Sequence, residues 1–267
     1  MPAYRRALTI AGSDSGGGAG IQADLKSFAA LGCFGLSAIT AVTAQNTRGV
    51  QSVQALPASL VAAQIDSVAS DIGVDAVKIG MLANAEIVAT VAERIRRHGL
   101  TPLVLDPVMI ATGGARLLDA AGIEALTELM KLAALVTPNL PEAEALLGRK
   151  LTDRAEIERG ARDLLGSGAG AVLIKGGHGQ GALAEDCLVR PGGAIEWLGA
   201  ARIETGNSHG TGCTLSAAIA AGLAQGKDLA SAVHAGKDYV TAALAAGAGY
   251  RLGSGSGPLH HFFAFWR

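Results

Sequence analysis

The sequence predicts an α/β fold whose core is a mostly parallel, doubly wound sheet. Short apolar runs alternate with longer segments of helical period along the 267 residues, and glycines or polar residues separate them. Such alternation implies right-handed crossovers, which place the strands side by side in one orientation and the helices on both faces. No linker, repeat or shift in composition divides the chain, so we expect a single domain over residues 1–267.

The first half of the chain supplies the first strands and helices. Apolar runs predict strands at residues 7–11, 36–42 and 76–79, and helical periodicity predicts helices at residues 20–31 and 60–72. In the second of these helices, apolar residues recur on one face from Val61 to Ile72. A third helix follows Asn84, which can act as its N-cap, and runs to His98, where Gly99 can end it.

The second half of the chain repeats the pattern. Strands are predicted at residues 103–105, 134–136 and 171–174, with helices in the gaps between them and two late helices at residues 211–224 and 229–246. Ligands of doubly wound sheets bind beyond the carboxyl ends of the strands. Polar residues and glycines cluster at those ends, at residues 12–20, 45–46, 80–81, 106–107, 138–139 and 175–177. This edge of the sheet is therefore the predicted site.

The composition argues against several functional classes. The formal net charge is -1 and aromatic residues make up 4% of the chain, which disfavours nucleic-acid binding. Cys33, Cys187 and Cys213 are isolated, so neither a disulfide framework nor a zinc site is expected. No apolar window is long enough to span a bilayer, and the first apolar run is too short for a signal peptide. We therefore expect a cytoplasmic protein without nucleic-acid or membrane partners.

An anion-binding site is predicted in the segment N-S-H-G-T-G-C-T-L-S-A-A, residues 207–218. Gly210, Thr211 and Gly212 stand at the start of an Ala-rich helix, where unpaired N–H groups and the helix dipole attract phosphate. Glycine also lets an anion approach the backbone closely. Cys213 falls in the first helical turn, where we expect its thiol to ionise more readily than usual.

A second glycine-rich segment, G-S-D-S-G-G-G-A-G, follows the first strand at residues 12–20. It matches neither the G-x-G-x-x-G pattern of dinucleotide-binding folds nor a Walker A loop, so we expect its glycines to admit a small substrate. Asp24 is expected either to contact the ligand or to interact with the helix dipole. Gln45 offers a paired donor and acceptor that suits a heterocycle edge, although amides at strand ends are more often turn formers.

Three residues supply oxygen atoms at adjacent strand ends and are candidate Mg²⁺ ligands: Asp106, Asn139 and Glu142. The spacing of the last two fits a helix N-cap with a capping box equally well. Lys175, in the segment I-K-G-G-H, is a flexible cation among glycines and suits a phosphate group. We interpret His178 and His209 as loop residues rather than catalytic bases.

Further segments join these motifs, and the set occurs in order along nearly the whole chain: L-T-I-A-G-S-D-S-G-G-G-A-G-I-Q-A-D-L-K, T-A-Q-N-T-R-G-V, K-I-G-M-L, D-P-V-M, T-P-N-L-P-E-A, K-G-G-H, H-G-T-G-C-T-L-S-A-A and G-P-L-H-H-F. The set resembles the hydroxymethylpyrimidine/phosphomethylpyrimidine kinases of the ribokinase superfamily. The resemblance implies a ribokinase-like, three-layer α/β/α sandwich. It also implies two successive ATP-dependent phosphorylations in thiamine biosynthesis, of a pyrimidine alcohol and then of its monophosphate, with Mg²⁺ as cofactor and a homodimer as the assembly.

The resemblance also implies roles for single residues. Gln45 would hold the pyrimidine edge, in a pocket completed by Gly12, Asp24, Met81 and Val108. The anion hole would be formed by Gly210, Thr211 and Gly212. The Mg²⁺–ATP region would be formed by Asp106, Asn139 and Glu142, with Lys175 balancing phosphate charge. Cys213 stands where sugar kinases of the superfamily carry an aspartate base.

Two other functions stay open on the sequence alone. One is a pyridoxal or pyridoxine salvage kinase. Relatives with that activity carry a cysteine in the lid after D-P-V-M, where this chain has the residues I-A-T-G at positions 110–113, so efficient pyridoxal phosphorylation is not expected. The other is a pyrimidine- or nucleotide-binding regulator without catalysis, and the presence of Cys213, Asn139 and Glu142 argues against it.

Overall fold

The computed structural model describes residues 3–109, 118, 120–177 and 181–266, which form ten strands and eight helices. The strands are β1 (Arg6–Ala11), β2 (Phe34–Ile39), β3 (Ala41–Asn46), β4 (Gly49–Ala55), β5 (Ala76–Ile79), β6 (Leu103–Leu105), β7 (Leu135–Val136), β8 (Val172–Lys175), β9 (Leu183–Val189) and β10 (Ile195–Ala201). The helices are α1 (Gly20–Ala30), α2 (Ala58–Asp71), α3 (Ala85–His98), α4 (Ala120–Met130), α5 (Leu140–Leu147), α6 (Arg154–Gly166), α7 (Thr211–Ala224) and α8 (Leu229–Gly247).

Eight of these strands form one sheet, in the order β10-β9-β8-β7-β6-β5-β1-β2. From β2 to β8 the neighbouring strands pair in parallel, whereas β9 is antiparallel to both β8 and β10. The strand β2 lies on one side of β1, and β5 and all later strands of the sheet lie on the other. Doubly wound sheets bind ligands at such a reversal of strand order, beyond the carboxyl ends of the strands.

Helices cover both faces of the sheet and give the predicted three layers. One buried cluster packs α2 to α6 against the sheet, through side chains such as Ile65 and Leu129. The other packs α1, α7 and α8 against the opposite face, through side chains such as Ile219. Consecutive residues of a strand pack into opposite clusters, as Ala7 and Leu8 do in β1. Strands buried on both faces read as continuous apolar runs, which is why the sequence predicts them well.

The predicted ends of α3 are confirmed by its caps. The side chain of Asn84 accepts a hydrogen bond from the N–H of Ile87 at 2.9 Å, and Gly99 ends the helix in the left-handed region with a φ of 59°. These two caps provide hydrogen bonds for backbone groups that the helix itself leaves unpaired. Within the described part of the chain, no helix has the length and apolar character needed to cross a membrane.

The prediction of one strand over residues 36–42 is wrong. The strand β2 ends at Ile39, and β3 begins at Ala41 in a separate antiparallel hairpin with β4. The strands β4, β9 and β10 were not predicted from the sequence. The hairpin exposes many of its side chains, and β9 and β10 form the edge of the main sheet, so none of the three missed strands needs a continuous apolar run.

Candidate active site

A cavity of about 660 Å³ opens at the carboxyl edge of the sheet. Its wall is built from residues that follow β1, β5, β6 and β8, from the β3–β4 hairpin and from the start of α7. All of the predicted site residues except Asp24 line it: Gly12, Gln45, Met81, Asp106, Val108, Asn139, Glu142, Lys175, Gly210, Thr211, Gly212 and Cys213. The fold therefore gathers residues that lie far apart in the sequence around one space.

The anion-hole segment begins α7, with Gly210 as the N-cap. Gly210 has a φ of 84°, and a Cβ atom there would collide with the carbonyl oxygen of Gly18. Glycine is required at this position for both reasons, because the glycine-rich loop packs directly on the helix start. Residues 210–213, at the start of α7, line the cavity, and the unpaired N–H groups of a first helical turn suit an anion.

Asp14 ties the glycine-rich loop to the segment that precedes α7. Its buried carboxylate accepts hydrogen bonds from the N–H groups of Gly16 at 2.8 Å, Gly18 at 3.0 Å and Ala19 at 2.8 Å. It also accepts from Nε2 of His209 at 2.9 Å. Burial alone would raise the pKa of Asp14, but these hydrogen bonds outweigh burial and lower it, so the carboxylate stays ionised.

Asp14 was not predicted from the sequence, and His209 was predicted only as a loop residue. His209 is buried, with 8% of its surface exposed, and it lines the cavity. The signal available in the sequence was an aspartate inside a run of glycines. Such a loop has many N–H groups and no side chains of its own to satisfy them, so a carboxylate within it tends to accept them.

Gln45 lies at the end of β3 and lines the cavity, as predicted. Its backbone is fixed by Ser15, whose hydroxyl accepts from the N–H of Gln45 at 2.8 Å and donates to its carbonyl oxygen at 2.6 Å. One end of the carboxamide lies 3.2 Å from Nε2 of His209. Val50 and Val53 of β4 also line the cavity, so the unpredicted hairpin supplies part of its apolar surface.

Met81 and Val108 complete the apolar wall beside the glycine-rich loop. The N–H of Gly12 donates to the carbonyl oxygen of Met81 at 3.1 Å, and a Cβ at position 12 would collide with the Met81 methyl group. The hydroxyl of Thr40 holds the same carbonyl at 2.6 Å. Glycine at position 12 therefore allows β1 and the residues after β5 to approach closely enough to shape the pocket.

Asp24 does not reach the cavity. Its side chain is fully buried in α1, where it accepts from Lys78 Nζ at 2.9 Å and from the hydroxyl of Thr9 at 2.6 Å. Neither expectation for Asp24 describes this arrangement, since the residue lies beyond the first turn of α1 and pairs with a cation instead. Lys78 is itself fully buried and lines the cavity, so Asp24 acts on the site through it.

Lys78 was not predicted, although a lysine inside the apolar strand A-V-K-I is itself a signal of a buried charge pair. Burial alone would lower the pKa of Lys78, but the charge of Asp24 outweighs burial and raises it. The buried ammonium therefore remains charged beneath the floor of the cavity. It is one of the charged groups that act on Cys213.

Asp106 and Lys175 form an ion pair at the centre of the cavity. Lys175 Nζ lies 2.6 Å from Asp106 Oδ1, and the hydroxyl of Ser216 donates to Asp106 Oδ2 at 3.4 Å. A Cβ at Gly212 would lie 3.1 Å from the Lys175 ammonium, so the anion hole faces this pair directly. Burial alone would lower the pKa of Lys175, but Asp106 and Glu142 raise it, and the ammonium stays charged beside the helix start.

Asn139 and Glu142 form the capping box that the sequence allowed. Asn139 Oδ1 accepts from the N–H of Glu142 at 2.9 Å, and Glu142 Oε2 accepts from the N–H of Asn139 at 2.7 Å. Burial raises the pKa of Glu142 to about 7, although the charge of Lys175 opposes the shift. Among the described residues, no three histidine, cysteine, aspartate or glutamate side chains are grouped to hold a metal ion.

Cys213 lines the cavity in the first turn of α7, as predicted, but its expected ready ionisation is wrong. Burial raises the pKa of the Cys213 thiol to about 11, although Lys78 and a hydrogen bond from the backbone of Gly20 act in the opposite direction. The thiol is therefore protonated at neutral pH. Removal from water outweighs the favourable charges around this sulfur.

The far end of the cavity was not predicted from the sequence. Lys237 Nζ of α8 lies 2.7 Å from Asp186 Oδ2 of β9, and Asp186 Oδ1 accepts from the N–H of Gly176 at 2.9 Å. Residues 200–205 and three residues of α8 add the remaining wall: Val240, Thr241 and Leu244. His178 and the lid segment at residues 110–113 lie outside the described residues.

Comparison with known proteins identifies the family. The family model for phosphomethylpyrimidine kinase matches residues 14–260. The chain belongs to this phosphomethylpyrimidine kinase family. It is 54% identical over 263 residues to the hydroxymethylpyrimidine/phosphomethylpyrimidine kinase of Rhizobium meliloti (strain 1021), with 98% of each chain covered.

Solved structures agree with this placement and with the ribokinase-like fold. The phosphomethylpyrimidine kinase of Clostridium difficile 630 superimposes with a TM-score of 0.80 and 43% identity, covering 90% of this chain and 99% of that one. An ADP complex of Bacillus subtilis pyridoxal kinase gives a TM-score of 0.90 with 37% identity, covering 97% and 98%. Phosphomethylpyrimidine kinases and pyridoxal kinases therefore share this fold, so the fold alone does not separate their substrates.

Proposed function

We propose that the chain transfers the γ-phosphoryl group of ATP to 4-amino-5-hydroxymethyl-2-methylpyrimidine and then to the resulting monophosphate, in thiamine biosynthesis. The observation that carries this proposal is the continuity of the cavity. A carboxamide suited to a heterocycle lies on its wall with Gln45, an anion hole and ammonium groups lie at its centre, and further space lies between β10 and α8. A heterocyclic alcohol and a nucleotide can therefore meet at the start of α7.

The mechanism follows from these positions. The hydroxymethyl oxygen attacks the γ-phosphorus in line with the departing ADP oxygen, the bond from phosphorus to that oxygen breaks, and the hydroxyl proton passes to an oxygen of the transferred phosphoryl group as the new bond forms. The N–H groups of Gly212 and Cys213 and the ammonium of Lys175 stabilise charge on the transferring phosphoryl oxygens. The N–H of Thr211 donates to the carbonyl oxygen of Ser208 at 3.3 Å. For the second transfer, the phosphate of the monophosphate takes the place of the hydroxyl, and the same donors receive it.

Cys213 serves in this mechanism as the group that positions the acceptor hydroxyl. A protonated thiol cannot take a proton, so the high pKa of Cys213 favours positioning over base catalysis at the start of the reaction. This suits phosphoryl transfer, because a loose transition state requires little removal of the hydroxyl proton before the new bond forms. The ionised aspartate of related sugar kinases is thus replaced by a side chain that is protonated at neutral pH.

Asp106, Asn139 and Glu142 would hold a Mg²⁺ ion that takes most of its ligands from phosphate groups and water. They offer oxygen donors on the cavity wall, yet much of their capacity is used by Lys175 and by the capping box. Mg²⁺ bound with a nucleotide commonly uses only one or two carboxylates, so a cage of three protein ligands is not needed. When bound, the ion would neutralise charge on the phosphates.

Replacing Gln45 with alanine should raise the KM for the pyrimidine by about 5- to 150-fold and leave the KM for ATP unchanged, because a buried hydrogen-bond pair of about 1–3 kcal/mol is lost. Steady-state kinetics with each substrate varied in turn would measure this. Gln51→Ala is the matched control, since Gln51 lies in the same hairpin with its side chain exposed. An unchanged KM for the pyrimidine would remove Gln45 from the pocket.

The Glu142→Gln variant should raise the Mg²⁺ concentration needed for half-maximal rate. In the parent, that concentration should also rise as the pH falls below about 7, because protonated Glu142 cannot bind a cation. The variant should show a flatter pH dependence. Glu156→Gln is the control, since Glu156 caps the start of α6 away from the cavity. A lower rate with an unmoved Mg²⁺ dependence would make Glu142 a helix cap only.

Release of ADP with and without the pyrimidine tests the proposed function as a whole. We expect slow ATP hydrolysis alone and strong stimulation by the pyrimidine. A protein that binds both ligands without stimulation would be the regulator considered above. A homodimer and a cytoplasmic location are further parts of the proposal, and sedimentation of the purified protein tests the first of them.

A further inference from the structure

His209 joins the anion-hole segment to the two elements that shape the predicted pyrimidine pocket. Its ring packs on Gly18, where an added Cβ would lie 2.6 Å from His209 Cδ2. Its Nε2 lies 2.9 Å from Asp14 Oδ2 and 3.2 Å from the carboxamide of Gln45. A ring nitrogen of histidine either carries a hydrogen and donates it or has none and accepts. The two neighbours of Nε2 therefore determine which of these applies to His209.

The hydrogen at that nitrogen can be assigned from the neighbours. The Asp14 carboxylate is ionised and can only accept, so His209 Nε2 carries the proton and donates. The structure places Gln45 Nε2 beside the same N–H and Gln45 Oε1 toward Thr43. Two donors would then face each other at His209, so the hydrogen bonds favour the reverse orientation, with the carboxamide oxygen beside His209. Exchanging the nitrogen and oxygen of a glutamine amide is a half-turn of the side chain, and the surrounding hydrogen bonds decide which orientation holds.

The opposite end of the carboxamide supports the same orientation. It lies 3.4 Å from the hydroxyl oxygen of Thr43, and that hydroxyl already donates its hydrogen to the carbonyl oxygen of Ser13 at 2.9 Å. The Thr43 oxygen is therefore free to accept, and the carboxamide NH₂ group is the donor that it can receive. Gln45 then presents an acceptor on the His209 side of the pocket and a donor on the Thr43 side.

We infer that His209, held by Asp14, is a positioning residue that fixes this order of acceptor and donor on Gln45. The inference deepens the proposed function and rests on it. A 4-aminopyrimidine offers an amino donor next to a ring-nitrogen acceptor, which matches a glutamine of fixed orientation. The corresponding 4-oxopyrimidine offers an acceptor next to a ring N–H donor, so it would require the carboxamide to turn its NH₂ group toward the N–H of His209.

The experiment measures kcat/KM for 4-amino-5-hydroxymethyl-2-methylpyrimidine and for its 4-oxo analogue, and takes their ratio. His209→Ala should lower the ratio by about 10-fold or more, because the carboxamide becomes free to turn and serve either edge. His209→Gln should keep the ratio near that of the parent, since its NH₂ group can occupy the place of Nε2 and Asp14 orients it. A residue that only supports the fold would lower both values equally and leave the ratio unchanged.

Two further variants complete the design. Thr43→Val removes the acceptor at the other end of the carboxamide and should also lower the ratio, so it tests the inference if His209→Ala fails to fold. His234→Ala is the matched control, because His234 is exposed on α8, where it pairs with Glu196. An unchanged ratio in both the His209→Ala and Thr43→Val variants would overturn the inference. The Gln45→Ala variant distinguishes failure of this inference from failure of the proposed function. An unchanged KM for the pyrimidine in Gln45→Ala would show that Gln45 does not bind the substrate, whatever the role of His209.

Discussion

The Cys213→Ala variant should lower kcat by about 100-fold and change the KM values little. A positioned general base typically contributes about 10²–10⁴-fold. We expect the low end for Cys213, because the transition state is loose and the protonated thiol holds the hydroxyl without removing its proton. Cys213 contacts the cavity at the anion hole, so its loss should affect the transfer step more than binding. Steady-state kinetics with both substrates measure the two effects separately.

Thiol modification provides the control for Cys213. Cys33 and Cys187 are buried, with 5% and 0% of their surfaces exposed, so iodoacetamide should react first at Cys213. With a pKa of about 11, the reaction should accelerate about tenfold for each unit of pH between 7 and 10. Bound pyrimidine should protect the enzyme. Cys33→Ala is the control variant. If Cys213→Ala kept the kcat of the parent, the anion hole and the ammonium groups alone would account for catalysis.

The Lys78→Met variant should lower the free energy of unfolding by about 3–5 kcal/mol, because it leaves the charge of Asp24 buried without a partner. Both side chains are fully buried, and Asp24 Oδ1 has no hydrogen-bond partner even in the parent. Chemical denaturation followed by circular dichroism would measure the loss. The effect should exceed that of removing any one hydrogen bond at the surface.

A double variant tests whether the charge pair itself causes this loss. Combining Asp24→Asn with Lys78→Met removes both charges and should recover much of the stability. Lys150→Met is the surface control, since Lys150 pairs with Glu144 while 80% of its side chain is exposed, and it should change stability little. If Lys78→Met were as stable as the parent, the pair would contribute nothing to the fold.

The sequence predicts the central strands well because both of their faces are buried. The apolar runs that became β1, β5 and β6 need no tertiary information to be recognised, and the caps Asn84 and Gly99 mark α3 by their own chemistry. The β3–β4 hairpin and the β9–β10 edge could not be predicted in this way. Their pairing depends on partners elsewhere in the fold, and their polar residues give no continuous pattern.

The candidate site was likewise predicted where the cause is local in the sequence and missed where the cause is a contact made by the fold. Gly210 was predicted from a local cause, because glycine at a helix start admits an anion to unpaired N–H groups. The close contacts of Gly12 with Met81 and of Gly210 with Gly18 come from the fold. The pairs of Asp24 with Lys78 and of Asp14 with His209 join residues 54 and 195 positions apart, and only the fold brings them together. The pKa of Cys213 also depends on burial, which the position of a residue in a helix does not reveal.

The central claim is that one cavity phosphorylates the pyrimidine alcohol and then its monophosphate. The most direct test incubates the protein with ATP, Mg²⁺ and equal concentrations of the pyrimidine and pyridoxal, and follows all products by mass spectrometry. We predict that the pyrimidine monophosphate forms first and is converted to the diphosphate, with two ADP released per pyrimidine, while pyridoxal is consumed far more slowly. Accumulation of pyridoxal phosphate with the pyrimidine unreacted, or a monophosphate that never becomes diphosphate, would contradict the claim.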